Sequence, residues 1–452
     1  MAKSVREEAR DVPVAAEVDV LVAGGGPAGV SAALAAARLG ARTLLLEQFN
    51  CLGGIATAGG HGHLCLFTSW GTDERIVGGI AWEVVERIVA AGFGAYARGN
   101  LDFEIEGMKR VLEQMAREAG VALLYYTQVA EAIVEAGRVA GAIVQNKSGR
   151  AAILARQTVD ATGDADLAAR AGVPFEKGRP EDGRMQPMTL MFQIGGVDYE
   201  RVRAFRGGDW KLRDLWIRAQ AVGDMEPFQD QIMGWWWTPT RPDHLGINFT
   251  HITGADATSA EDLTRATLEG RRQAFQALEV YRRYVPGMEK AYLVSTPCTV
   301  GTRESRRIVG EYRLTREDLV AEREFPDSIG YGSFFIDIHN PDGPGMDAKT
   351  WRPAKGFKYQ VPYRILVPRT VEDLLVAGRC VSVTHEALGS LRVMPQCAVM
   401  GEAAGVAAAQ AAGGGPPPRR ADLAALQAQL RRQGAILEAA DIVRAAGQTP
   451  PS

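Results

Sequence analysis

The first fifty residues alternate short apolar runs with glycine-rich turns. After a polar arm at residues 1–16, which we expect to be flexible, the apolar run at 19–23 predicts a buried strand. The alanine-rich run at 30–39 predicts a helix that ends at a glycine, and the run at 43–47 predicts a second buried strand. Two buried strands joined through a helix run parallel, so the pattern predicts a βαβ unit in an α/β domain.

The chain continues as mixed helix and strand. A helical run at 101–119 is followed by apolar runs that predict strands at 121–126, 129–134, 138–145 and 151–160. The short turn between the second and third of these strands predicts a hairpin. The last strand ends in a polar turn that contains a glycine, which is typical of a loop that passes close to a ligand.

The middle of the chain has a different composition. Aromatic residues become frequent after about residue 175. Two apolar runs predict strands at 187–197 and 245–253, and an amphipathic run at 262–284 predicts a long helix. We therefore expect a second domain of the α+β class. The run Trp235–Trp237 predicts a strand that buries alternate rings, and an aromatic substrate pocket is the alternative.

Toward the C-terminus the pattern returns to that of the first domain. A buried strand at 374–378 is followed by a glycine- and alanine-rich helix at 396–412. A glycine–proline run at 413–418 predicts a linker, and amphipathic runs within 421–445 predict one or two closing helices.

Charge and cysteine content exclude several classes of protein. The formal charge is −3, from 51 basic and 54 acidic residues, so there is no basic excess to bind nucleic acid. The five cysteines form no C-x-x-C pair, which argues against an iron–sulfur or zinc site, and we expect no metal. Their odd number fits a reducing compartment, so we expect a cytoplasmic location. We find no signal peptide and no apolar run of about 18 residues, and therefore expect no membrane span.

A G-x-G-x-x-G motif links the first predicted strand to its helix. Its glycines are Gly24, Gly26 and Gly29. The first permits a tight turn, the second lets the backbone approach a pyrophosphate, and the third lets the helix pack against the strand. Glu47, at the end of the second strand, is placed to bind an adenosine ribose. Together these features predict a dinucleotide-binding site.

Several later segments resemble those of one flavoprotein family. A second glycine pair, Gly53–Gly54, follows the acidic residue directly, as in flavoproteins of the glutathione reductase type. Further matching segments are A-T-G-D-A-D (161–166), G-T-R-E-S-R-R-I (301–308), A-G-R-C (377–380), H-E-A-L-G-S-L-R-V-M-P (385–395) and M-G-E-A-A-G (400–405). Together they resemble the FAD-dependent oxidoreductase family, which is related to the flavoproteins of succinate dehydrogenase-like enzymes and to the flavin subunits of heterodisulfide reductase. The resemblance implies bound FAD and redox chemistry, and it names no substrate.

The resemblance implies an α/β fold with a Rossmann-like, FAD-binding domain around a parallel central sheet. We expect this domain at 17–170 and 355–412, an inserted α+β substrate or cap domain at 171–354, and a linker with C-terminal helices at 413–452. The residues expected to contact FAD are Gly24, Gly26, Pro27, Ala28, Gly29, Glu47, Gln48, Gly53, Gly54, Thr57, Val129, Thr162, Gly163, Asp164, Gly378, Arg379, Gly389, Met394 and Gly401.

Candidate catalytic residues come from the matched segments. His385 is the leading candidate for a base, because an imidazole titrates near neutral pH, and Arg392 follows it on what we expect to be an irregular loop. Asp337 and His339 share one face of a predicted strand, so the carboxylate is placed to orient the imidazole; a plain edge strand is the alternative. Arg303 is a candidate for binding an anionic substrate, and a buried ion-pair network is its alternative.

Two further histidines, His61 and His63, follow the second glycine pair. A polar role beside the flavin, covalent attachment of the flavin and a purely structural role are the alternatives for them. Two histidines at this spacing without a third ligand are a weak metal signal.

These features predict an enzyme that transfers a hydride between flavin N5 and a small polar organic substrate. An arginine in the site would favour an anionic substrate. The alternative is an electron-transfer flavoprotein subunit that works with a partner protein. A module that binds the dinucleotide without catalysis is a third interpretation. The electron acceptor is left open, and a homo-oligomer is compatible with the sequence.

Overall fold

The computed structural model describes residues 5–6 and 8–445. Part of the predicted arm and the end of the predicted tail lie outside the described residues, so the flexibility of the arm stays a prediction. The strands are β1 (Val14–Ala23), β2 (Thr43–Leu46), β3 (His63–Leu64), β4 (Gly94–Ala97), β5 (Asn100–Phe103), β6 (Ala122–Leu124), β7 (Gln128–Glu135), β8 (Arg138–Asn146), β9 (Gly149–Asp160), β10 (Phe175–Glu176), β11 (Phe192–Gly195), β12 (Gly234–Thr238), β13 (Arg241–Asn248), β14 (Tyr292–Ser295), β15 (Arg307–Ile308), β16 (Ser328–Gly332), β17 (Tyr359–Pro362) and β18 (Leu374–Val376). The α-helices are α1 (Pro27–Arg38), α2 (Gly79–Ala90), α3 (Ile105–Glu118), α4 (Asp166–Arg170), α5 (Tyr199–Arg206), α6 (Arg213–Ala221), α7 (Ala260–Tyr284), α8 (Arg316–Val320), α9 (His385–Leu391), α10 (Met394–Ala412), α11 (Leu423–Arg432) and α12 (Ala439–Ala445).

A seven-stranded sheet, which we call the central sheet, has the order β6-β2-β1-β9-β8-β7, with β18 paired to β9. The pairs β1–β2, β1–β9, β2–β6 and β9–β18 are parallel, whereas β7–β8 and β8–β9 are antiparallel. Ala23 lies opposite both Leu46 and Asp160, so the carboxyl ends of three strands meet at one edge. The predicted βαβ unit and the α/β fold class are confirmed.

Helices α1 and α10 pack closely against each other beside the central sheet. A Cβ atom at Gly401 would lie 1.9 Å from the carbonyl oxygen of Ala28, and one at Gly405 would lie 2.1 Å from that of Ala32. Only hydrogen fits at these two positions, so glycine sets the distance between the helices. The glycine- and alanine-rich helix predicted at 396–412 is confirmed as α10.

A second, antiparallel sheet, the middle sheet, has the order β12-β13-β11-β14. It packs with α6 and α7 in a hydrophobic cluster of its own, built around Trp216, Phe249 and Tyr281. Helix α7 begins after Ser259, whose side chain accepts a hydrogen bond from the backbone of Asp262, and it matches the predicted helix. The α+β character expected of this region is what the structure has.

The hydrophobic cores do not follow the expected insertion boundaries. Leu314, Ile336 and Ile338 belong to the expected insertion, yet they share one hydrophobic cluster with α1 and α10. The chain therefore contributes side chains to the hydrophobic cluster of α1 and α10 from Leu314 onward, well before the expected boundary at residue 355. The boundary itself stays a prediction.

Several predicted elements differ from the structure. The strand expected at Asp337 and His339 is not formed, because this segment makes only isolated bridges at Ile336 and His339. The helix expected at 101–119 begins only at Ile105, because Leu101 and Phe103 alternate with polar residues and are buried as strand β5. The irregular loop expected around His385 is helix α9, which is capped by the side chain of Thr384. The strands of the middle sheet are shorter or shifted relative to 187–197 and 245–253, because β11 ends at Gly195 and β13 ends at Asn248.

Candidate functional site

A cavity of about 770 Å³ opens where the carboxyl ends of β1, β2 and β9 meet. Its walls include the turn before α1, the segment before α10 and residues of the middle sheet. The cavity therefore lies between the two sheets, at the edge of a parallel sheet where nucleotide ligands bind in α/β folds.

The three glycines of the sequence motif have three different surroundings. Gly24 has φ +98°, and a Cβ there would lie 2.5 Å from the carbonyl oxygen of Ala161. A Cβ at Gly29 would lie 1.7 Å from the carbonyl oxygen of Gly24. A Cβ at Gly26, at the N-terminus of α1, would meet nothing within 4 Å. The open space at this helix N-terminus is where a diphosphate fits.

The second glycine pair and Glu47 brace this turn. Gly53 donates a backbone hydrogen bond to the carbonyl of Gly25 at 2.8 Å, and a Cβ at Gly54 would lie 2.9 Å from the Cα of Gly26. The Glu47 carboxylate accepts from the backbone N–H groups of Gly25 at 2.7 Å and Phe49 at 2.8 Å. Burial raises the pKa of Glu47, although both hydrogen bonds favour its ionised form. Its carboxylate also lines the cavity, where it is placed to accept from ribose hydroxyls.

A second buried carboxylate shapes the turn after β9. Asp160 accepts hydrogen bonds from the backbone and hydroxyl of Thr162 and from the backbone of Ala168. This turn presents Gly163 and Asp164 to the cavity, and Asp164 in turn accepts a 2.8 Å hydrogen bond from Arg379. Two distant segments of the chain are thereby joined at the cavity wall.

Most of the predicted cofactor residues line this cavity: Gly24, Gly26, Pro27, Ala28, Glu47, Gln48, Gly54, Val129, Thr162, Gly163, Asp164, Gly378, Arg379 and Met394. The others do not line it, and they support residues that do: Gly29, Gly53, Thr57, Gly389 and Gly401. Gly389, for example, packs against the backbone of Asp337, where a Cβ would lie 2.9 Å from the carbonyl oxygen. The residues present fit FAD, because the open helix N-terminus accommodates the diphosphate and the buried carboxylate accommodates the ribose.

Four cationic side chains line one part of the cavity, which we call the cationic part: Lys211, Arg303, Arg352 and Arg392. Arg352 is exposed, and its guanidinium lies 4.4 Å from the centre of the Phe335 ring. Burial, and then the charge of Arg352, lower the pKa of Lys211. Asp337 is the carboxylate that lines the same part. The positive excess favours an anionic ligand.

Arg303 is the most buried of these cations, with 6% of its surface exposed. It donates to the carbonyl of Pro187 at 2.8 Å, to the Thr189 hydroxyl at 2.6 Å and to the Asn248 side-chain oxygen at 3.3 Å, all neutral acceptors. Burial, and then the nearby charge of Arg392, lower the pKa of Arg303 to about 9. The nearby charge of Asp337 opposes this lowering, but the hydrogen-bond acceptors of the guanidinium are neutral, and a buried guanidinium in this state favours an anionic ligand.

Arg392, Asp337 and His339 form a connected group beside Arg303. Arg392 donates to the Asp337 carboxylate at 2.8 Å, and Nε2 of His339 lies 3.4 Å from the same oxygen. Nδ1 of His339 is buried without a hydrogen-bond partner within the described part of the chain, and the residue lines the cavity. Burial and the charge of Arg303 lower the pKa of His339 to about 3 against the attraction of Asp337. This imidazole is therefore neutral, with an unused nitrogen.

His385 is placed differently from the expectation. It is 2% exposed, and it is not among the residues that line the cavity. Its Nδ1 lies 2.9 Å from the Glu304 carboxylate, which also accepts from Arg307. Helix α9 directs this histidine into a buried ionic cluster, so the structure does not bring the expected base to the cavity lining. The alternative of a buried ion-pair network applies to Glu304 and Arg307, and not to Arg303.

His61 and His63 both line the cavity near Trp236. Nδ1 of His63 lies 2.5 Å from the carboxylate of Asp102, its partner across strands β3 and β5. Burial lowers the pKa of His63, but Asp102 and Cys65 outweigh it and raise the pKa to about 10. The pKa of His61 is lowered to about 3, first by burial and then by the charge of His63. One ring is thus protonated and its neighbour neutral.

Several functional residues carried no sequence signal. Lys211 and Arg352 come from segments without a motif. Arg303 is oriented by Thr189, in the segment before β11, and by Asn248, at the end of β13. Asp102 could have been found only from its register opposite His63. Among residues 5–6 and 8–445, no group of three potential metal ligands occurs, and no helix is long and apolar enough to cross a membrane.

The chain is similar to known proteins in sequence and in structure. The sequence family described as FAD dependent oxidoreductase matches residues 19–430. Thiamine thiazole synthase of Aeropyrum pernix is 33% identical over 183 residues, and the match spans 38% of this chain and 63% of that protein. A geranylgeranyl bacteriochlorophyll reductase-like protein of Thermoplasma acidophilum is 16% identical, with a TM-score of 0.48 over 95% of this chain and 86% of that one. The p-nitrophenol 4-monooxygenase PnpA of Pseudomonas putida is 12% identical, with a TM-score of 0.46 over 97% and 90%.

Proposed function

Because the family match extends over residues 19–430, the chain belongs to the FAD-dependent oxidoreductase family, and we propose that it oxidises or reduces a small anionic organic substrate in the cationic part of the cavity. When bound, FAD supplies the ring that takes up or gives back the hydride. Its diphosphate would lie at the turn of Gly26, and its ribose would lie beside Glu47.

The observation that supports the proposal is the buried guanidinium of Arg303, which has no anionic hydrogen-bond partner among the described residues. Its three hydrogen-bond acceptors are neutral, and Asp337 is already bound to Arg392. A substrate carboxylate or similar oxyanion would complete this group by accepting from Arg303. The rigid fork of a guanidinium would fix the orientation of the substrate as well as hold it.

His339 is proposed as the residue that accepts the proton released from the substrate. Its contact with Asp337 through Nε2 favours the tautomer with a free electron pair on Nδ1, the nitrogen that lacks a partner. Asp337 would orient the ring and stabilise the imidazolium formed when Nδ1 takes up a proton. Burial of the pair would keep water from competing for that proton.

An anaerobic screen of hydroxy acids, amino acids and other small carboxylates tests the proposal through bleaching of the visible flavin absorption. With the substrate found, Arg303→Met is expected to weaken substrate binding by about tenfold to a hundredfold, equivalent to about 1.5–3 kcal/mol for a charged hydrogen bond. His339→Gln is expected to slow flavin reduction by about 10²–10⁴ while FAD stays bound.

The matched control is Arg201→Met, which removes an exposed arginine paired with Glu289 on the surface. It should change neither quantity. Unchanged substrate binding by Arg303→Met, together with an unchanged flavin spectrum, would rule out the anion site at Arg303. Arg303→Lys serves as a second variant that keeps the charge if the methionine variant does not fold.

A further inference from the structure

The charge of Arg303 acts on the proton-accepting nitrogen of the same cavity. His339 is 3% exposed, lines the cavity and has an Nδ1 atom without a hydrogen-bond partner within residues 5–6 and 8–445. After burial, the charge of Arg303 is the largest influence that lowers its pKa. A base in this state is unprotonated at neutral pH, but it is also a weak base.

The charged and titratable groups facing His339 come from four segments of the chain. Asp337 lies on its own segment, Arg303 precedes β15, and Arg392 follows α9. The ring of His251, in the segment after β13, lies 6.2 Å from that of His339. His251 donates to the carbonyl oxygens of the loop after His339, and its pKa is lowered to about 4, mainly by burial. Among these groups, the two arginines oppose protonation of His339 and Asp337 favours it.

An anion bound at Arg303 would reverse this balance. It would cancel the charge that opposes protonation and would add a negative charge near the imidazole. Because Nδ1 is unpartnered and the site is buried, the added attraction acts at low dielectric and is large. We propose that an anion bound at Arg303 strengthens the proton affinity of His339. At acidic pH the complex therefore takes up one proton on this imidazole, and at higher pH, where the imidazole is unprotonated, it accepts the substrate proton more readily than it does without the anion.

The coupling rests on the proposed function of this cavity. It adds that the site should favour reaction of anionic over neutral substrates. A neutral analogue of the substrate would supply no negative charge at Arg303, so His339 would stay a weak base. Such an analogue would therefore react slowly even when it binds. The sign of the pH dependence follows by linkage. Anion affinity falls as pH rises through the pKa of His339 in the complex, by up to about tenfold per pH unit when one proton is taken up.

Calorimetry of the FAD-loaded protein measures this proton directly. Methanesulfonate and sulfate are suitable probes, because their own charge does not change between about pH 5 and about pH 8, where histidines titrate. Titrations in buffers of different ionisation enthalpy give the number of protons taken up on binding. We expect up to one proton, with most uptake at the acidic end of the range, and none in His339→Gln, which should still bind the probe.

The control variant is His244→Gln, because His244 does not line the cavity. It should leave the uptake unchanged. Binding without proton uptake throughout the range, or uptake that survives in His339→Gln, overturns the coupling and leaves the anion site intact. Uptake that disappears in His61→Gln instead assigns the proton to His61 and also overturns the proposal. If neither probe binds, the anion site of the proposed function fails instead.

A second readout does not depend on calorimetry. The chain has six histidines, so ring nitrogen signals of protein labelled in histidine are few enough to assign by single substitutions. Addition of methanesulfonate should move one signal, the one missing in His339→Gln, from the neutral to the protonated range. Arg303→Met should abolish this change, whereas Arg303→Lys, which keeps the charge, should retain part of it.

Discussion

At the scale of single residues, the glycine motif separates the effects of folding from those of cofactor binding. Gly26 has φ −69°, which any residue adopts, and a side chain there would meet only open space. Gly29 has no such room, because the carbonyl of Gly24 occupies the place of its Cβ. The two glycines are required for different reasons.

We therefore expect Gly26→Ala to fold normally and to lose FAD affinity by at least about tenfold, which is about 1.4 kcal/mol. Gly29→Ala should instead lower the melting temperature, because the turn must open. FAD titration followed by fluorescence and thermal unfolding of the apoprotein measure the two effects. Gly208→Ala is the control, because Gly208 has open space and no strained backbone. Equal FAD affinity of Gly26→Ala and the unchanged protein would contradict the assignment of the diphosphate site.

The sequence located the glycines and the carboxylate well, but it named both His385 and His339 as catalytic candidates and could not separate them. Gly24, Gly26 and Glu47 act through the backbone of a local strand–turn–helix unit, so their spacing along the chain is enough to place them. His385 and His339 both occur in matched segments, and only the direction of each side chain separates them. Helix α9 directs the first toward Glu304, whereas the second borders the cavity, and no spacing rule contains that information.

At the scale of elements, helix α10 combines glycine packing with one buried acid. Glu402 is 2% exposed, and its carboxylate accepts a hydrogen bond from the backbone of Ile80 at the start of α2 at 2.9 Å. Its other oxygen is buried without a partner within the described part of the chain. Burial raises the pKa of Glu402 to about 8. The contact between α2 and α10 is thus made with a protonated side chain at neutral pH.

Because the folded-state pKa of Glu402 lies above its unfolded value of 4.5, folding binds a proton, and the free energy of unfolding should fall as pH rises from about 5 to about 8. Glu402→Gln should remove this part of the pH dependence and should be the more stable form at pH 8. Denaturant unfolding at several pH values measures it. Glu86→Gln, on the outer part of α2, is the control. An unchanged slope in Glu402→Gln would show that the acid is ionised in the folded protein.

Element boundaries were predicted less well than element types. Helices α1, α7 and α10 were found from periodicity, because each is long or largely buried. The strands of the central sheet were found as short apolar runs. The start of α3 was missed because the alternation of Leu101 and Phe103 with polar residues, which fits one face of a strand and not of a helix, covers only four residues directly before the helical run. Their partner strands β3 and β4, which decide between the two, are short and carry no strong pattern.

At the scale of the whole molecule, the cavity joins elements that are far apart along the chain. Its walls include the turn at Gly26, the turn at Gly163, Arg303 of the segment before β15, and Met394 at the start of α10. A ligand that contacts all of these stabilises the assembled form over any partly open one.

Removal of FAD is therefore expected to lower the melting temperature in a concentration-dependent way. At a free FAD concentration a hundred times the dissociation constant, the stabilisation should be about 2.7 kcal/mol. Thermal unfolding of the apoprotein with increasing FAD measures it. ADP, which fits only the diphosphate and ribose part, should stabilise the protein less. A melting temperature independent of FAD concentration would contradict binding across the whole cavity.

The return of the chain to its first core was predictable in outline only. The buried strand at Leu374–Val376 and the glycine-rich helix indicated that the last part of the chain rejoins the first. That Leu314 and Ile338 rejoin it earlier was not visible, because their short apolar segments match either core equally well.

The contact between α1 and α10 also determines when this protein can become a flavoprotein. A ribosome releases the turn at Gly24–Gly29 long before it releases α10, which begins at Met394. Until then Ala28 and Ala32 have no helix to cover them, and the cavity lacks the wall that Met394 provides. We therefore expect cofactor capture to follow release of α10, and we expect a chain truncated before α10 to expose an aggregation-prone half-site.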